Sequence, residues 1–191
     1  MRKLFIISLF SLAGVLAPIL AQTYQVNSYI GLGYSRFISD MNFDGLNKNG
    51  YSGTLRFMWQ PEHLLRIGIE TGYYRLYSFE QKNIDTEFGT TDAQSALDAI
   101  PVFINVTMQI IRPLEIFAGV GPTFLSTSFE SFGSKSESSQ ISTSYIAGAN
   151  YFHDISDKIK IGGELKYYRI NKIEDGTITL QFMFVYKLFN W

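Results

Sequence analysis

The stretch KIKIGGELKYYRI, from Lys158 to Ile170, alternates apolar and polar side chains with a period of two residues. Isoleucine, leucine and tyrosine share one face, and lysine and glutamate share the other: Ile159, Ile161, Leu165 and Tyr167 against Lys160, Glu164 and Lys166. Successive side chains of a β-strand point to opposite faces of the sheet, so this period indicates a strand rather than a helix. The stretch predicts a two-faced strand with one apolar side and one charged side.

The same alternation recurs along the chain and predicts eight strands. They are residues 24–37, 50–60, 64–78, 98–110, 114–127, 140–152, 158–170 and 177–189. Each run is longer than the roughly five or six residues usual for a strand in a globular protein. About 9 to 11 tilted residues are needed to cross the apolar layer of a bilayer. The strand lengths therefore favour transmembrane strands.

The segments between the predicted strands alternate in length. Residues 38–49, 79–97 and 128–139 are long connections, whereas the intervening ones are short turns. This asymmetry is typical of outer-membrane barrels, whose termini lie at the short-turn, periplasmic end. Two aromatic belts match the two interfaces of a bilayer. The long-loop rim has Tyr34, Tyr51, Tyr73 and Tyr167, and the short-turn rim has Tyr24, Trp59, Tyr151, Tyr186 and Phe189.

We therefore predict an all-β fold, an eight-stranded antiparallel up-and-down transmembrane β-barrel. Closure of the sheet is required because no water inside a bilayer satisfies an open strand edge. The alternative is a secreted soluble barrel that binds an apolar ligand. Such a barrel would place Ile159, Ile161 and Leu165 in its interior.

The N-terminus has the layout of a secretory signal peptide. Two basic residues precede an apolar run from Leu4 to Leu20, and Ala21 is a small residue at a plausible cleavage point. We predict a signal peptide over residues 1–21 and a barrel domain over residues 22–191, with an uncleaved membrane anchor as the alternative. The mature chain is expected in the bacterial outer membrane.

Composition limits the chemistry of the chain. There is no cysteine, which excludes disulfides and cysteine-ligated metals. Subtracting Arg2 and Lys3 from the 16 basic residues leaves 14 against 17 acidic residues, a net charge of −3. A basic nucleic-acid footprint is absent, so no nucleic-acid partner is expected.

If the apolar phase of each strand faces lipid, the opposite phase fills the interior. An eight-stranded barrel is just wide enough to be filled by side chains. We predict a structural network of paired charges that plugs the lumen, because buried charges persist mainly when they are paired. A narrow ion path along these charges is the alternative. The predicted interior residues are Arg56, Arg66, Glu70, Glu115, Lys160, Glu164, Lys166, Gln181 and Lys187.

The stretch AIPVFINVTMQIIRPLEIFAGVGPTFL, from Ala99 to Leu125, opens a strand with Ile-Pro, turns at Arg-Pro and continues into a Gly-x-Gly-Pro step. It resembles the outer-membrane protein β-barrel domain family of Bacteroidetes-type bacteria, the PorT-like, OmpX-like and OmpA-like small barrels. The resemblance implies an integral outer-membrane barrel. Its expected partners are outer-membrane lipid, lipopolysaccharide and the barrel-assembly machinery.

Two details of the strands need a structural explanation. Pro122 is expected near the outer end of its strand, at a bulge or where pairing runs out, because proline cannot donate to a sheet ladder. The last strand departs from the family pattern, in which a terminal aromatic residue faces lipid. Its alternation places Phe189 and Trp191 in the phase of Lys187, opposite Tyr186 and Leu188.

No catalytic, metal or cofactor site is predicted. Barrel enzymes that modify envelope lipid work from the outer leaflet, generally with a histidine near a serine or carboxylate. Both histidines of this chain, His63 and His153, fall at short turns on the periplasmic side. Two distant histidines also make a poor metal site. We therefore predict a protein that is not an enzyme, with a lipid-modifying barrel enzyme as an alternative.

The long connections carry the expected interactions. We predict a structural role, or an interaction role in which a protein partner binds through residues 38–49, 79–97 and 128–139. Within the second connection, residues 95–99 are expected to form a short helix or to extend the fourth strand. Divalent cations bridging its carboxylates to each other or to lipopolysaccharide are a further alternative. The charges there are Glu80, Asp85, Glu87, Asp92 and Asp98 against Lys82, a net charge of −4.

Overall fold

The computed structural model describes residues 25–39, 45–61, 64–86, 89–131, 134–173 and 175–190. The predicted signal peptide and His63 lie outside these residues. Within them, no helix is long and apolar enough to cross a membrane. The strands are β1 (Gln25–Ile38), β2 (Leu46–Asn47), β3 (Asn49–Gln60), β4 (Leu65–Thr86), β5 (Gly89–Ile111), β6 (Leu114–Ser131), β7 (Ser134–Asp154), β8 (Ile159–Ile170) and β9 (Gly176–Asn190).

All nine strands belong to one antiparallel sheet that closes into a ring. The strand order is β2-β4-β3-β1-β9-β8-β7-β6-β5, and β4 also pairs with β5. The strand beyond the eight that were predicted is β2, which is two residues long and pairs with β4 alone. Gly45 makes it possible, because its φ of 86° turns the chain so that its carbonyl accepts a hydrogen bond from the amide of Glu80.

Two of the three predicted long connections are strands in the structure. In residues 79–97, β4 continues to Thr86 and β5 begins at Gly89. In residues 128–139, β6 continues to Ser131 and β7 begins at Ser134. The expectation of loops was wrong because these residues form cross-strand pairs, as at Glu80 opposite Gln94 and at Ser128 opposite Glu137. Residues 95–99 lie in β5, so the extension of the strand is right and the helix is wrong. Of the first connection, residues 40–44 lie outside the described residues.

The apolar phase of the strands is the outer surface of the ring. On β9, Leu180 is 62% exposed, whereas the adjacent Thr179 is fully buried. Leu165 is 54% exposed, which contradicts the alternative of a soluble barrel with this residue inside. The predicted rim aromatics lie mostly on this surface, except that Tyr73 is half-buried and Tyr24 lies outside the described residues. Exposed members are Tyr34, Tyr51 and Tyr167 at one rim, and Trp59, Tyr151, Tyr186 and Phe189 at the other.

A β-bulge changes the phase at the end of β9. Val26 pairs with Phe189 and the next residue, Asn27, pairs with Lys187, so Leu188 is the extra residue of the bulge. The bulge turns Phe189 to the outer surface, where it is 61% exposed. The predicted inward phase of Phe189 was therefore wrong, because strict alternation ignores a residue inserted into the ladder.

Pro122 lies in the middle of β6, not near the outer end as expected, because β6 continues to Ser131. The pairing of β5 with β6 is interrupted beside it: Pro101 pairs with Thr123 and Ile104 pairs with Val120, with no pairs between them. The register is the same on both sides of this gap. The expected loss of pairing is present on the β5 side of Pro122, while Pro122 still pairs with Thr143 of β7, and it follows from the missing amide hydrogen of Pro122.

Candidate functional site

Four charged side chains from three strands form one buried group inside the ring. Arg56 on β3 lies opposite Glu70 on β4 in the strand register. Its guanidinium donates from Nε to Glu70 Oε2 at 2.7 Å and from Nη2 to Glu164 Oε2 at 2.7 Å. Because β8, which carries Glu164, is not a neighbour of β3 in the sheet, this contact crosses the enclosed space.

Lys166 closes the group from the same strand as Glu164. Its Nζ lies 2.7 Å from Glu70 Oε1 and 2.8 Å from Glu164 Oε1. The same ammonium donates hydrogen bonds to the hydroxyls of Tyr74 and Thr54 at 2.8 and 3.1 Å. Each carboxylate is thus shared by one guanidinium and one ammonium, and all four charged side chains are fully buried. We call Arg56, Glu70, Glu164 and Lys166 the charge quartet.

The position of Arg56 depends on an aromatic ring and a glycine. The guanidinium carbon lies 4.3 Å from the centre of the Phe117 ring. This ring occupies the space that a side chain at Gly148 on the neighbouring strand would fill, since a Cβ there would lie 2.7 Å from it. Gly148 therefore makes room for the platform on which Arg56 stacks, a favourable cation–π arrangement.

A second charge pair lies nearer the short-turn end. Arg66 on β4 forms an ion pair with Glu115 on β6, reaching past the intervening strand β5. Its Nη1 also donates to the Tyr29 hydroxyl at 3.1 Å, and its Nε donates to Gln60 Oε1 at 2.9 Å. The pair is therefore hydrogen-bonded on several sides in a buried position.

The remaining predicted interior residues do not join these groups. Gln181 is buried and donates from Nε2 to Ser52 Oγ at 2.8 Å, which is a separate contact. Lys160 and Lys187 are half-buried at the short-turn end, where both line a groove at the mouth of the ring. Lys160 lies 3.3 Å from the exposed Asp154. The structure thus brings together six of the nine predicted residues, in two groups.

Several interior contacts were not predicted from the sequence. Asn105 donates from Nδ2 to Glu70 Oε2 at 2.6 Å, and its side chain fills the space beside Gly119. Tyr168 donates its hydroxyl hydrogen to Thr123 at 2.8 Å. Tyr74 and Tyr168 share the phase of Glu70 and Lys166 on their strands. The alternation of the strand could have predicted their inward orientation. Tyr74 and Tyr168 each follow a tyrosine of the outward phase, so each points into the interior.

Apolar layers lie above and below the buried charges, and the predicted set of interior residues, which was entirely polar, did not include them. The strands of the hairpins β4–β5 and β6–β7 extend from one end of the ring, which we call the hairpin end. The apolar layer toward that end contains Phe37, Leu76, Phe103, Leu125 and Ile170. Toward the short-turn end, it contains Tyr29, Met58, Phe152, Met183 and Val185. Bulk water is therefore kept from the charges, and each unpaired charge would be costly.

The six buried charges among the described residues balance. Three are cationic and three are anionic: Arg56, Arg66 and Lys166 against Glu70, Glu115 and Glu164. Attraction between opposite charges is strong where water is excluded, while the removal of one partner leaves the other uncompensated. The arrangement can hold the strands of opposite walls together.

The structure offers no metal-binding cluster in the part of the chain that it describes. No group of three or more His, Cys, Asp or Glu side chains is arranged there to hold an ion. His153 lies at the end of β7 near the short turn and is exposed.

An exposed ion pair lies on the outer part of β7. The Lys135 ammonium is 2.6 Å from Glu137 and lowers the pKa of that carboxyl by donating a hydrogen bond.

A closed antiparallel sheet with an apolar outer surface and paired charges inside defines an integral membrane β-barrel. Residues 7–187 match the model of the outer membrane protein beta-barrel domain family. The chain belongs to this family, and membership places it in the bacterial outer membrane.

Solved structures share this fold at low sequence identity. The attachment invasion locus protein Ail of Yersinia pestis is 17% identical, with a TM-score of 0.62 over 87% of this chain and 100% of that one. Neisserial surface protein A is 14% identical, with a TM-score of 0.51 over 86% and 97%. A major outer membrane protein from Thermus thermophilus is 11% identical, with a TM-score of 0.53 over 86% and 99%. A search of curated protein sequences finds no significant match.

Replacement of Arg56 by leucine is expected to destabilise the barrel. The variant leaves two buried carboxylates against Lys166, and breaking such a buried ion pair costs about 3–5 kcal/mol. The measurement is the urea midpoint of unfolding in phospholipid vesicles, followed by heat-modifiable gel migration. Lys135→Gln, which removes an exposed ion pair with Glu137, should leave the midpoint unchanged. Equal midpoints for Arg56→Leu and the natural sequence would contradict the structure.

Two glycines on adjacent strands provide a matched pair of variants. Gly148→Ala is expected to lower stability by about 1–3 kcal/mol, because the new methyl group overlaps both the Leu165 carbonyl oxygen and the Phe117 ring on which Arg56 stacks. Gly163→Ala should be tolerated, since the nearest atom to its Cβ is 3.9 Å away. The same urea titration measures both. A larger loss for Gly163→Ala than for Gly148→Ala would refute the packing role of the Phe117 platform.

Proposed function

We propose that the chain is a non-enzymatic outer-membrane protein, an eight-stranded up-and-down barrel with a plugged interior that holds an interaction surface above the membrane. In this proposal the two-residue strand β2 is an accessory to the barrel wall. The observation that carries the proposal is the pair of long hairpins, β4–β5 and β6–β7, which continue as strands far beyond the ends of β3 and β8.

The interior supports a plug. The charge quartet and the Arg66–Glu115 pair cross the enclosed space, and apolar layers lie on both sides of them. The interior of an eight-stranded barrel is just wide enough for such side chains, so they leave no open channel along its axis. The balanced charges favour a structural network over an ion path, because a permeating ion would have to displace one member of a fully paired group.

The hairpins support an interaction role. The last pair between β3 and β4 is Ser52 with Tyr74, and the last pair between β7 and β8 is Ser144 with Ile170. Beyond these pairs the longest extensions of the sheet are β4 to β7, with the two-residue β2 paired to β4 at Ser78 and Phe79. Residues 134–141 of β7 pair with β6 on one side and with no described strand on the other. Such an edge suits a partner that adds an extended segment.

The remaining parts of the proposal concern biogenesis and surroundings. Residues 1–21 serve as the cleaved signal peptide, and the hairpin end faces the cell exterior. The Ile-Pro and Gly-x-Gly-Pro steps support a place among the PorT-like barrels of Bacteroidetes-type bacteria. The outward Phe189 at the end of β9 supports recognition by the barrel-assembly machinery, and the apolar outer surface supports contact with lipid and lipopolysaccharide.

The plug is tested by electrical recording. We expect the purified natural protein, inserted in planar lipid bilayers, to give no steady single-channel conductance, because paired charges and apolar layers close the lumen. A general porin inserted under the same conditions provides the positive control. Discrete and stable conductance steps from the natural protein would favour the ion path instead.

The interaction surface is tested by two matched hairpin variants and crosslinking in intact cells. In the first, an Asn-Gly turn replaces residues 126–139 between the paired Leu125 and Gln140, so that β6 and β7 lose their outer ends and six of the eight residues of the free edge. In the second, the same turn replaces residues 82–92 of the β4–β5 hairpin. We expect the crosslinked envelope partner to be lost in the first and retained in the second. Equal capture by the first variant and the natural protein would refute a role for the β7 edge.

A further inference from the structure

A Tyr-x-Arg sequence occurs on three strands that run in the same direction. It is YSR at residues 34–36 on β1, YYR at 73–75 on β4 and YYR at 167–169 on β8. In each case the tyrosine belongs to the aromatic rim at the hairpin end. The arginine follows on the same outer face, about 7 Å farther along the strand. The pattern puts guanidinium groups just beyond the aromatic belt of the barrel.

One of the three arginines is already neutralised by the protein. Arg75 forms a two-pronged ion pair with Asp98, with Nε to Oδ1 at 2.9 Å and Nη2 to Oδ2 at 3.1 Å. Its guanidinium also lies 5.4 Å from the centre of the Tyr51 ring. Arg36 and Arg169 differ, since both are exposed and neither makes an ion pair with any residue that the structure describes. Two of the three guanidinium groups therefore remain open to an external anion.

Arg36 and Arg169 face the same stretch of the outer surface. They lie on β1 and β8, which flank β9 in the sheet. Ile178 of β9 pairs with both Arg36 and Tyr167, and Gly176 of β9 pairs with Arg169. The two arginine backbones are thus separated by two strand spacings, about 10 Å, and by two residues along the strands.

The surface between them is covered by the Tyr167 ring and carries its hydroxyl. Gly176 has no side chain, and the Tyr167 ring leans over it, so that the Tyr167 hydroxyl reaches the place a Cβ of Gly176 would occupy. Arginine side chains are long enough to converge from both sides of this spot. The result is a shallow site with two cationic groups and one hydroxyl donor on the outer face of the barrel wall.

We propose that Arg36, Arg169 and the hydroxyl of Tyr167 bind a phosphate group of an outer-leaflet lipid, a phosphorylated glycolipid such as lipid A. This inference rests on the proposed orientation, with the hairpin end outside the cell. Tyrosine belts mark the level of the headgroups, and the two arginines lie one step beyond that level. Guanidinium groups match phosphate geometry with paired hydrogen bonds. Lipid is the ligand favoured over a soluble anion because the site lies on the lipid-facing wall.

The test is native mass spectrometry of the full-length protein in detergent micelles, titrated with bisphosphorylated lipid A. Loss of one cation near a lipid phosphate is expected to weaken binding about fivefold. Arg36→Gln with Arg169→Gln should therefore weaken it at least tenfold. The double replacement by lysine should retain most of the binding. Arg75→Gln removes the same residue type from the same motif, but one whose charge Asp98 already satisfies, so it should change binding less than twofold.

Three outcomes would overturn the site. They are unchanged binding by the double glutamine variant, an equal loss in Arg75→Gln, and equal affinity for lipid A from which the phosphates have been removed. Displacement of lipid A by inorganic phosphate at equal concentration would assign the site to free phosphate and would also overturn the lipid proposal. Heat-modifiable migration verifies that each variant is folded before its binding is compared.

The orientation is tested separately. The chain has no cysteine, so Ser138→Cys introduces a single thiol on the exposed β7 extension. A membrane-impermeant maleimide should label it in intact cells. Labelling only after lysis would refute the proposed function, while the titration in micelles would still decide whether Arg36 and Arg169 bind the phosphate.

Discussion

The rest of the structure depends on the ion pairs that Arg56 forms with carboxylates on two different strands, β4 and β8. Its guanidinium holds Glu70 on the neighbouring strand and Glu164 across the ring, and Lys166 binds the same two carboxylates from the other side. Four charged groups that are buried away from water are stable only when all of them are present and paired. The quartet therefore requires closure of the sheet, because its members meet only when β3, β4 and β8 are held around one enclosed space.

Closure in turn divides every strand into two environments. The outer face meets lipid and carries aliphatic residues between aromatic rims, while the inner face must be packed to the density of a protein core. Glycine at Gly148 and Gly119 serves this packing, since the Phe117 ring and the Asn105 side chain occupy the space where a Cβ would lie. The same barrel wall supports the two long hairpins. Neighbouring strands satisfy the backbone groups of these polar strands in the sheet ladder, except along the free edge of β7 over residues 134–141.

The outer surface is also differentiated around the ring. Arg75 on β4 is held by Asp98, whereas Arg36 and Arg169, on the strands that flank β9, lie on the side of the ring opposite the hairpin sheet. The side of the ring that carries the long hairpins and the side that carries the two arginines without an ion pair among the described residues are thus different. In the proposed function, the barrel is a rigid support whose interactions lie on the outer wall and on the hairpins rather than in the lumen.

The sequence by itself determined the two-faced strands, the apolar outer surface and the phase of the buried charges, because alternation with period two is a local property that each strand carries. It determined neither the ion-pair partners nor the apolar layers, since those depend on how strands distant in the chain are staggered around the ring. The strand extensions were missed because residues 79–97 and 128–139 have no apolar face to show a period. The phase of Phe189 was missed because one inserted residue at Leu188 reverses the alternation, and only the pairing with β1 reveals it.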